Sequence, residues 1–280
     1  MEIYTLPANE ELKSCIRKIT IFLSGEYSHF RQKLTPTPYC CLTYNHCHIP
    51  GFETGGILAR QKQQLMITGP KTRDYIFALH NGKLCQVLVE FTAAGFWFLF
   101  RRSPACLLNK TDSLDHWIES ENLTKLSDDL NSVDNPAEHA GMLQRYIASM
   151  NALKAHKYKY LETAIKLIED TNGQITVNTL CNPIHISERQ LNRKFIEITG
   201  LKPLQFIKLK QLHHIINLLN TERFRSLKEL AYETGFYDPA HFNNHFKKLT
   251  GMSPGSFLAS DEHVAFKYYN DSVSGGVISE

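Results

Sequence analysis

Sliding the chain against itself by 51 positions lays QLNRKFIEITGLKPLQFI, residues 190–207, on HFNNHFKKLTGMSPGSFL, residues 241–258. Asn192, Phe195, Thr199, Gly200, Pro203 and Phe206 then coincide with Asn243, Phe246, Thr250, Gly251, Pro254 and Phe257. An internal repeat constrains a fold more than composition does, because each copy must bury the same face. Two units are too few for a solenoid, so the repeat reads as a duplicated module. In the second copy Leu227, Leu230 and Ala231 form one apolar stripe at helical spacing, and Phe242, Phe246 and Leu249 form another. Between them, Gly235-Phe236-Tyr237-Asp238 offers a glycine able to take positive φ and an aspartate able to cap the next helix. Two short helices on so tight a turn describe a helix-turn-helix, whose second helix is shaped to enter a DNA groove.

The first copy follows the same plan with two departures. Leu161, Ile165 and Ile168 line an opening helix closed by Asn172-Gly173, and Val177–Cys181 makes the positioning helix. Ser187 then caps a reading helix over Glu188–Ile198, and Pro203–Asn220 fits a long helix that fixes one module against the other. His185 stands where the turn should carry glycine, with Pro183 just before it, and Cys181 stands where the second copy has Ala231. Cysteine is small enough to substitute there. His185 needs another route through the turn, and the tilt of the first reading helix depends on it.

The run Ala231, Gly235-Phe236, Asp238, His241-Phe242, Phe246-Lys247, Gly251 and Ser253-Pro254 resembles the signature of the AraC/XylS family of transcription regulators. The resemblance covers residues 157–260. It implies an α+β chain: an N-terminal cupin-like β-barrel with trailing helices, then an all-α domain of two helix-turn-helix modules joined by a long helix. On that plan residues 1–153 sense an effector or dimerise, with the barrel over 1–110 and helices over 113–153. Residues 157–260 bind DNA and 261–280 form a tail. The implied partners are double-stranded promoter DNA, a small-molecule effector, a second copy of the chain, and RNA polymerase if the protein activates. No cofactor or catalytic residue is implied.

On the first reading helix Leu191 and Phe195 face the core, which leaves Arg189, Gln190, Asn192, Arg193 and Lys194 on the other faces. Arginine can pair both nitrogens with guanine O6 and N7, and asparagine or glutamine can do the same for adenine N6 and N7. The family resemblance puts Arg189, Asn192 and Arg193 at base-reading positions. The corresponding residues of the second helix are Pro239, His241, Asn243 and Asn244, with no arginine among them. That module is expected to position more than it reads. Lys202, Lys247, Lys248 and the amides that open the helices at Pro203 and Pro254 are candidate phosphate contacts, and Ser187 sits at the cap of the first reader. A solvated helix surface is the competing reading for all of these.

Charge agrees with the repeat without standing alone. Residues 1–156 carry a net +1, residues 157–260 a net +5 and residues 261–280 a net −3. Positive charge thus gathers in the module expected to meet phosphates. No run of eighteen apolar residues occurs and the first residues are acidic with no apolar stretch, so neither a membrane span nor a secretory signal is expected. Cytoplasm is the expected location. Seven cysteines without a CxxC pair are expected to be reduced thiols.

Residues 1–110 read as short strands, including Cys40–Tyr44, Leu65–Thr68 and Leu84–Phe91, with a hairpin turn at His80-Asn81-Gly82-Lys83 and a short helix over Asn9–Lys18. Residues 113–153 change to helical period and are broken at Asn135-Pro136, giving two or three helices. Tyr39, Tyr44, Phe52, Tyr75, Phe77, Phe91 and Trp97 are candidates to line the barrel. Lys62, Lys71, Arg73 and Lys83 fit either an anion pocket or scattered surface charge. His46-Cys47-His48 reads as ordinary strand residues before it reads as a metal site, since alternate residues share a face and Cys47 points away. His213-His214 on the long helix reads as structure or surface before it reads as a ligand. A reading from another class keeps an enzyme in the N-terminal half, or a reactive-cysteine DNA-repair activity, with the helical module as accessory. No cysteine has the Pro-Cys-His setting such a repair centre needs.

Overall fold

The computed structural model describes residues 2–24, 28–54, 57–60, 63–72, 76–150, 158–221 and 224–259. The linker 151–157, the tail 261–280, and Lys62, Arg73 and Tyr75 lie outside the described residues. The N-terminal half runs β1 (Glu2–Leu6), β2 (Ile16–Leu23), β3 (Ser28–Leu34), β4 (Cys41–Asn45), β5 (Gly51–Thr54), β6 (Ile57–Arg60), β7 (Leu65–Thr68), β8 (Ile76–Gly82) and β9 (Cys85–Phe91). Then come α1 (Gly95–Phe100), β10 (Thr111–Ser113), α2 (Ser120–Asn131) and α3 (Pro136–Ser149).

These strands form two separate sheets and not the closed barrel expected from the family plan. One has the order β1-β2-β9-β4-β7-β10 and the other β3-β8-β5-β6. All pairings are antiparallel, and outside the strands Thr37 and Lys71 add one isolated bridge. The reason is visible at Asn81-Gly82. β8 pairs with β3 and β5, whereas β9 pairs with β2 and β4, so the segment expected to be a hairpin turn carries the chain from one sheet to the other. The short helix expected over Asn9–Lys18 is only a single 3-10 turn, Glu10–Leu12. Ile16, Ile19 and Ile21 draw the following residues into β2 against β9, as β-branched residues favour.

The outer face of the six-stranded sheet is apolar. Ile19, Ile21, Leu42, Ile67, Val87, Val89 and Phe91 are buried there with Leu143 and Ile147 of α3 and Phe96 of α1. Residues alternate along a strand, so the same strands present Phe22, Cys41, Thr43, Asn45, Met66, Thr68, Gln86 and Leu88 to the opposite sheet. Tyr39, Tyr44, Phe91 and Trp97 therefore pack away from the space between the sheets, and Phe52 lines it, while the Phe77 side chain, like Tyr75, lies outside what is described.

The C-terminal half is helical: α4 (Lys159–Asp170), α5 (Val177–Ile184), α6 (Glu188–Thr199), α7 (Pro203–Thr221), α8 (Leu227–Glu233), α9 (Pro239–Thr250) and α10 (Pro254–Ala259). Its first module shares one core with the sheet-rich half, which runs from Ile19 through Leu143 to Leu191, Phe195 and Phe206. The second module has a core of its own, made by Leu212, Ile215, Leu219, Leu230, Phe242, Phe246 and Phe257. No described helix is long and apolar enough to cross a membrane.

Candidate nucleic-acid interface

The 51-residue repeat seen in the sequence survives as atomic geometry. Each reading helix ends in a glycine with left-handed backbone, Gly200 at φ 77° and Gly251 at φ 68°. Just before each, a buried threonine turns its hydroxyl onto the helix: Thr199 donates to Phe195 O at 2.8 Å and Thr250 to Phe246 O at 2.8 Å. Phe195 meets Phe206 edge-on at 5.5 Å between ring centroids, and Phe246 meets Phe257 at 5.6 Å. The same packing thus seats α6 on α7 and α9 on α10.

Both readers are capped by side chains, so their first turns are fixed without help from a ligand. Ser187 and Gln190 form a reciprocal capping box at the start of α6. Asp238 accepts from the amides of Ala240 at 3.0 Å and His241 at 3.2 Å at the start of α9. The two turns reach these caps differently. Gly235 takes φ 85° in the second module, while His185 takes φ 52° in the first. Histidine is among the few side chains that enter the left-handed region with any frequency. That resolves how the first turn closes without glycine.

The expected base-reading residues lie on the outward faces of α6 and α9. Arg189 and Arg193 are exposed and make no hydrogen bond or ion pair among the described residues. His241, Asn243 and Asn244 are exposed on α9, with Pro239 half-buried beside them. Lys202, Lys247 and Lys248 are exposed as well. Several expected contacts are already engaged within the protein, Ser187 and Lys247 among them. Asn192 donates to Glu188 O at 2.9 Å, Gln190 serves the cap, and Lys194 pairs with Glu197 at 2.8 Å beside the Tyr158 ring. Glu197 holds the Lys194 ammonium above its ordinary range through that hydrogen bond. α9 has lysines in its last turn and no acidic residue in its first, whereas α6 begins with Glu188.

Sequence reasoning passed over Tyr237, which is 98% exposed in the turn immediately before Asp238. It also passed over how α6 is held. Ser103 donates to Ile196 O at 3.1 Å, and buried Gly200 lies against Pro104 and Ala105, so the C-terminal end of α6 is docked on the sheet-rich half. A polar latch fixes α7 to the same half. Tyr39 donates to Glu169 at 2.6 Å and accepts from Lys210 at 3.3 Å, and His213 Nε2 meets Pro36 O at 2.8 Å. Burial, with Lys210 adding to it, pushes the His213 pKa down to about 4, so the ring is neutral and donates. His213 is therefore structural, one of the readings its place in the sequence allowed.

The other histidines and cysteines have separate partners. His46 bridges Tyr44 at 2.9 Å and Asp134 at 2.9 Å, while His48 Nε2 accepts from the Asn81 amide at 3.2 Å. Among the described residues no three His, Cys, Asp or Glu groups converge as a metal site would require. All seven cysteines are free thiols.

Two helix-turn-helix units on one nineteen-residue helix define the class: a double-reader DNA-binding domain. Residues 180–260 match the family model described as "Helix-turn-helix domain". The chain is similar to the HTH-type transcriptional regulator GlxA of Rhizobium meliloti, 42% identical over 71 residues that make up 25% of this chain and 22% of that protein. It is similar to the uncharacterised transcriptional regulatory protein YesN of Bacillus subtilis, 30% identical over 123 residues, 42% of this chain and 33% of that one. Residues 180–260 are therefore a helix-turn-helix domain of the kind these transcription regulators carry, as the AraC/XylS resemblance implied. It spans between a fifth and a third of the length of these two relatives. Among solved structures, ToxT of Vibrio cholerae aligns over 86% of this chain and 97% of its own at 13% identity and a TM-score of 0.44. The DNA-binding domain of AdpA, solved with a target DNA, aligns over 36% of this chain and 89% of its own at 30% identity and a TM-score of 0.33.

Proposed function

We propose that this chain is a sequence-specific transcription regulator that inserts the first turns of α6 and α9 into successive major-groove turns of promoter DNA. The observation that supports this most is the pair of capped, outward-facing helices held by one rod, with Arg189 and Arg193 unpaired on the first. Arg193 and Arg189 read guanine, Asn243 and Asn244 make adaptable contacts, and Lys202, Lys247 and Lys248 meet phosphates. Asn192, Gln190 and Lys194 contribute by exchanging an internal hydrogen bond for one to DNA, and Ser187 by presenting the cap. His241 and Pro239 border the groove. The charge imbalance between residues 157–260 and the rest favours the same face.

The sheet-rich half controls this activity, through an effector or by pairing two copies of the chain, and the Tyr39–Glu169–Lys210 latch carries the coupling. The activity proposed is binding in the cytoplasm, with RNA polymerase as a partner where the regulator activates.

Selection of bound fragments from a random DNA library by the full chain, followed by anisotropy titration, tests this reading. A defined site bound at least about 10³-fold above random DNA is expected at physiological salt. Equal affinity for all sequences would sink the specific-regulator reading, and stoichiometric methyl transfer to a cysteine from methylated DNA would replace it with the repair activity.

A further inference from the structure

In most sandwiches the facing sides of the two sheets are both apolar and together make the core. Here the inner face of the six-stranded sheet is mixed. The sheet's apolar face goes to the helices, and the face turned to the four-stranded sheet carries Cys41, Thr43, Asn45, Thr68 and Gln86, with Thr111 of β10 at its edge. Apolar side chains, Phe22, Leu34, Phe52, Met66, Ala78 and Leu88, complete the enclosure. Between them lies a cavity of about 50 Å³.

Lys71 lines this cavity. It is 7% exposed, and its side chain has no hydrogen bond or ion pair among the described residues. Its backbone is fixed by reciprocal bonds with Thr37, 3.0 and 2.8 Å, so the residue is held at the cavity edge. No carboxylate belongs to the described lining. Glu90, next along β9 on the same face, is taken by Arg17. Burial pulls the Lys71 pKa down to about 8, which still leaves it mostly charged at neutral pH. A buried ammonium with no counter-charge costs several kcal/mol, and an apolar residue would fill the same space at no such cost. Surface charge, one of the two sequence readings of Lys71, does not describe a residue so placed.

We propose that the space between the sheets is a binding site for a small carboxylate, whose charge is met by the Lys71 ammonium. The threonine hydroxyls and the Asn45 and Gln86 amides receive its oxygens, and a short apolar remainder lies against Phe22, Met66 and Leu88. At about 10–15 Å³ per water-sized occupant the cavity takes about three to five non-hydrogen atoms, which excludes long chains. A free phosphate fits less well, because one ammonium faces a half-apolar wall where a dianion needs several donors. That the occupant acts as an effector rests on the regulator reading above. Its binding is measured on the DNA-free chain, so loss of one conclusion leaves the other standing.

Calorimetric titration of the full chain in a carboxylate-free buffer, with acetate, propionate, propionamide and inorganic phosphate as probes, tests the site. Saturable binding of propionate or acetate is expected, with propionamide at least about tenfold weaker, the loss of one charge-assisted contact. Lys71→Met should weaken propionate by at least about tenfold, and Lys83→Met, on the exposed surface, should not. On the unsubstituted chain, propionate should also protect Lys71 from reductive methylation, read by peptide mass. The proposal fails if no carboxylate saturates up to about 100 mM, where even a millimolar site would fill. It fails equally if propionamide or phosphate binds as well as propionate, or if Lys71 methylates at the same rate with propionate present.

Discussion

Replacing Gly200 by alanine and, separately, Gly251 by alanine tests whether α6 is clamped by the sheet-rich half while α9 is not. The two glycines are repeat equivalents, both helix-ending and both left-handed, at φ 77° and 68°. Each substitution should therefore cost about 1–2 kcal/mol for a side chain in that conformation. Only Gly200 is buried, and a Cβ there would sit 2.9 Å from both the Ala105 nitrogen and the Pro104 carbonyl carbon. Those are backbone atoms and cannot swing aside, so overpacking adds about 1–3 kcal/mol. The expected totals are about 2–5 kcal/mol for Gly200→Ala and about 1–2 kcal/mol for Gly251→Ala. Urea unfolding of the full chain gives both numbers. Hydrogen exchange at the amides near Ser103 and Ile196 should rise only in Gly200→Ala. Equal losses in the two variants would refute the docking of α6 on Pro104 and Ala105.

Arg193→Ala should cost about 1–3 kcal/mol at a selected site and relax base preference there, whereas Lys248→Ala should weaken all sequences alike and lower the salt slope by about one. Tyr39→Phe leaves Glu169 and Lys210 without their shared hydroxyl, and about 1–3 kcal/mol of stability should go with it, measured by urea midpoint. His80, His213 and His245 each have a pKa lowered to about 4, chiefly by burial. The unfolded chain binds protons first, near pH 6.5, so stability is intact above about 6.5 and falls as pH drops toward 4, by about 1.4 kcal/mol per pH unit per histidine. Urea midpoints unchanged between pH 7 and pH 5 would contradict that, both values being chosen inside or above the window set by about 6.5 and about 4.

The helical half was legible because its signals are local. Spacing of Leu191 and Phe195, the Ser187 and Asp238 caps and the Gly-Phe turn each act within a few residues, and the observed α6, α7 and α9 begin where the sequence placed them. The strands were legible too, but their partners were not. Asn81-Gly82 carries a hairpin signal that tertiary pairing overrides, since β8 and β9 each find better neighbours in different sheets. Aromatic residues were assigned to a barrel interior, whereas helices α1 and α3 supply a second apolar surface that claims Tyr44 and Phe91. Sequence alone left Lys71 between an anion pocket and surface charge, because its burial depends on a bridge to Thr37, thirty-four residues earlier in the chain. The docking of Ser103 on Ile196 spans still more sequence and has no local signature.

Interference mapping with guanine N7 methylation on a selected site measures the proposed geometry directly, because N7 lies in the major groove. Two patches of interference on one face of the duplex, centred about 10 base pairs and so about 34 Å apart, are expected from readers fixed by α7. Loss of Arg193 should erase one patch and leave the other. A single patch, or two on opposite faces of the duplex, would contradict twin insertion by α6 and α9.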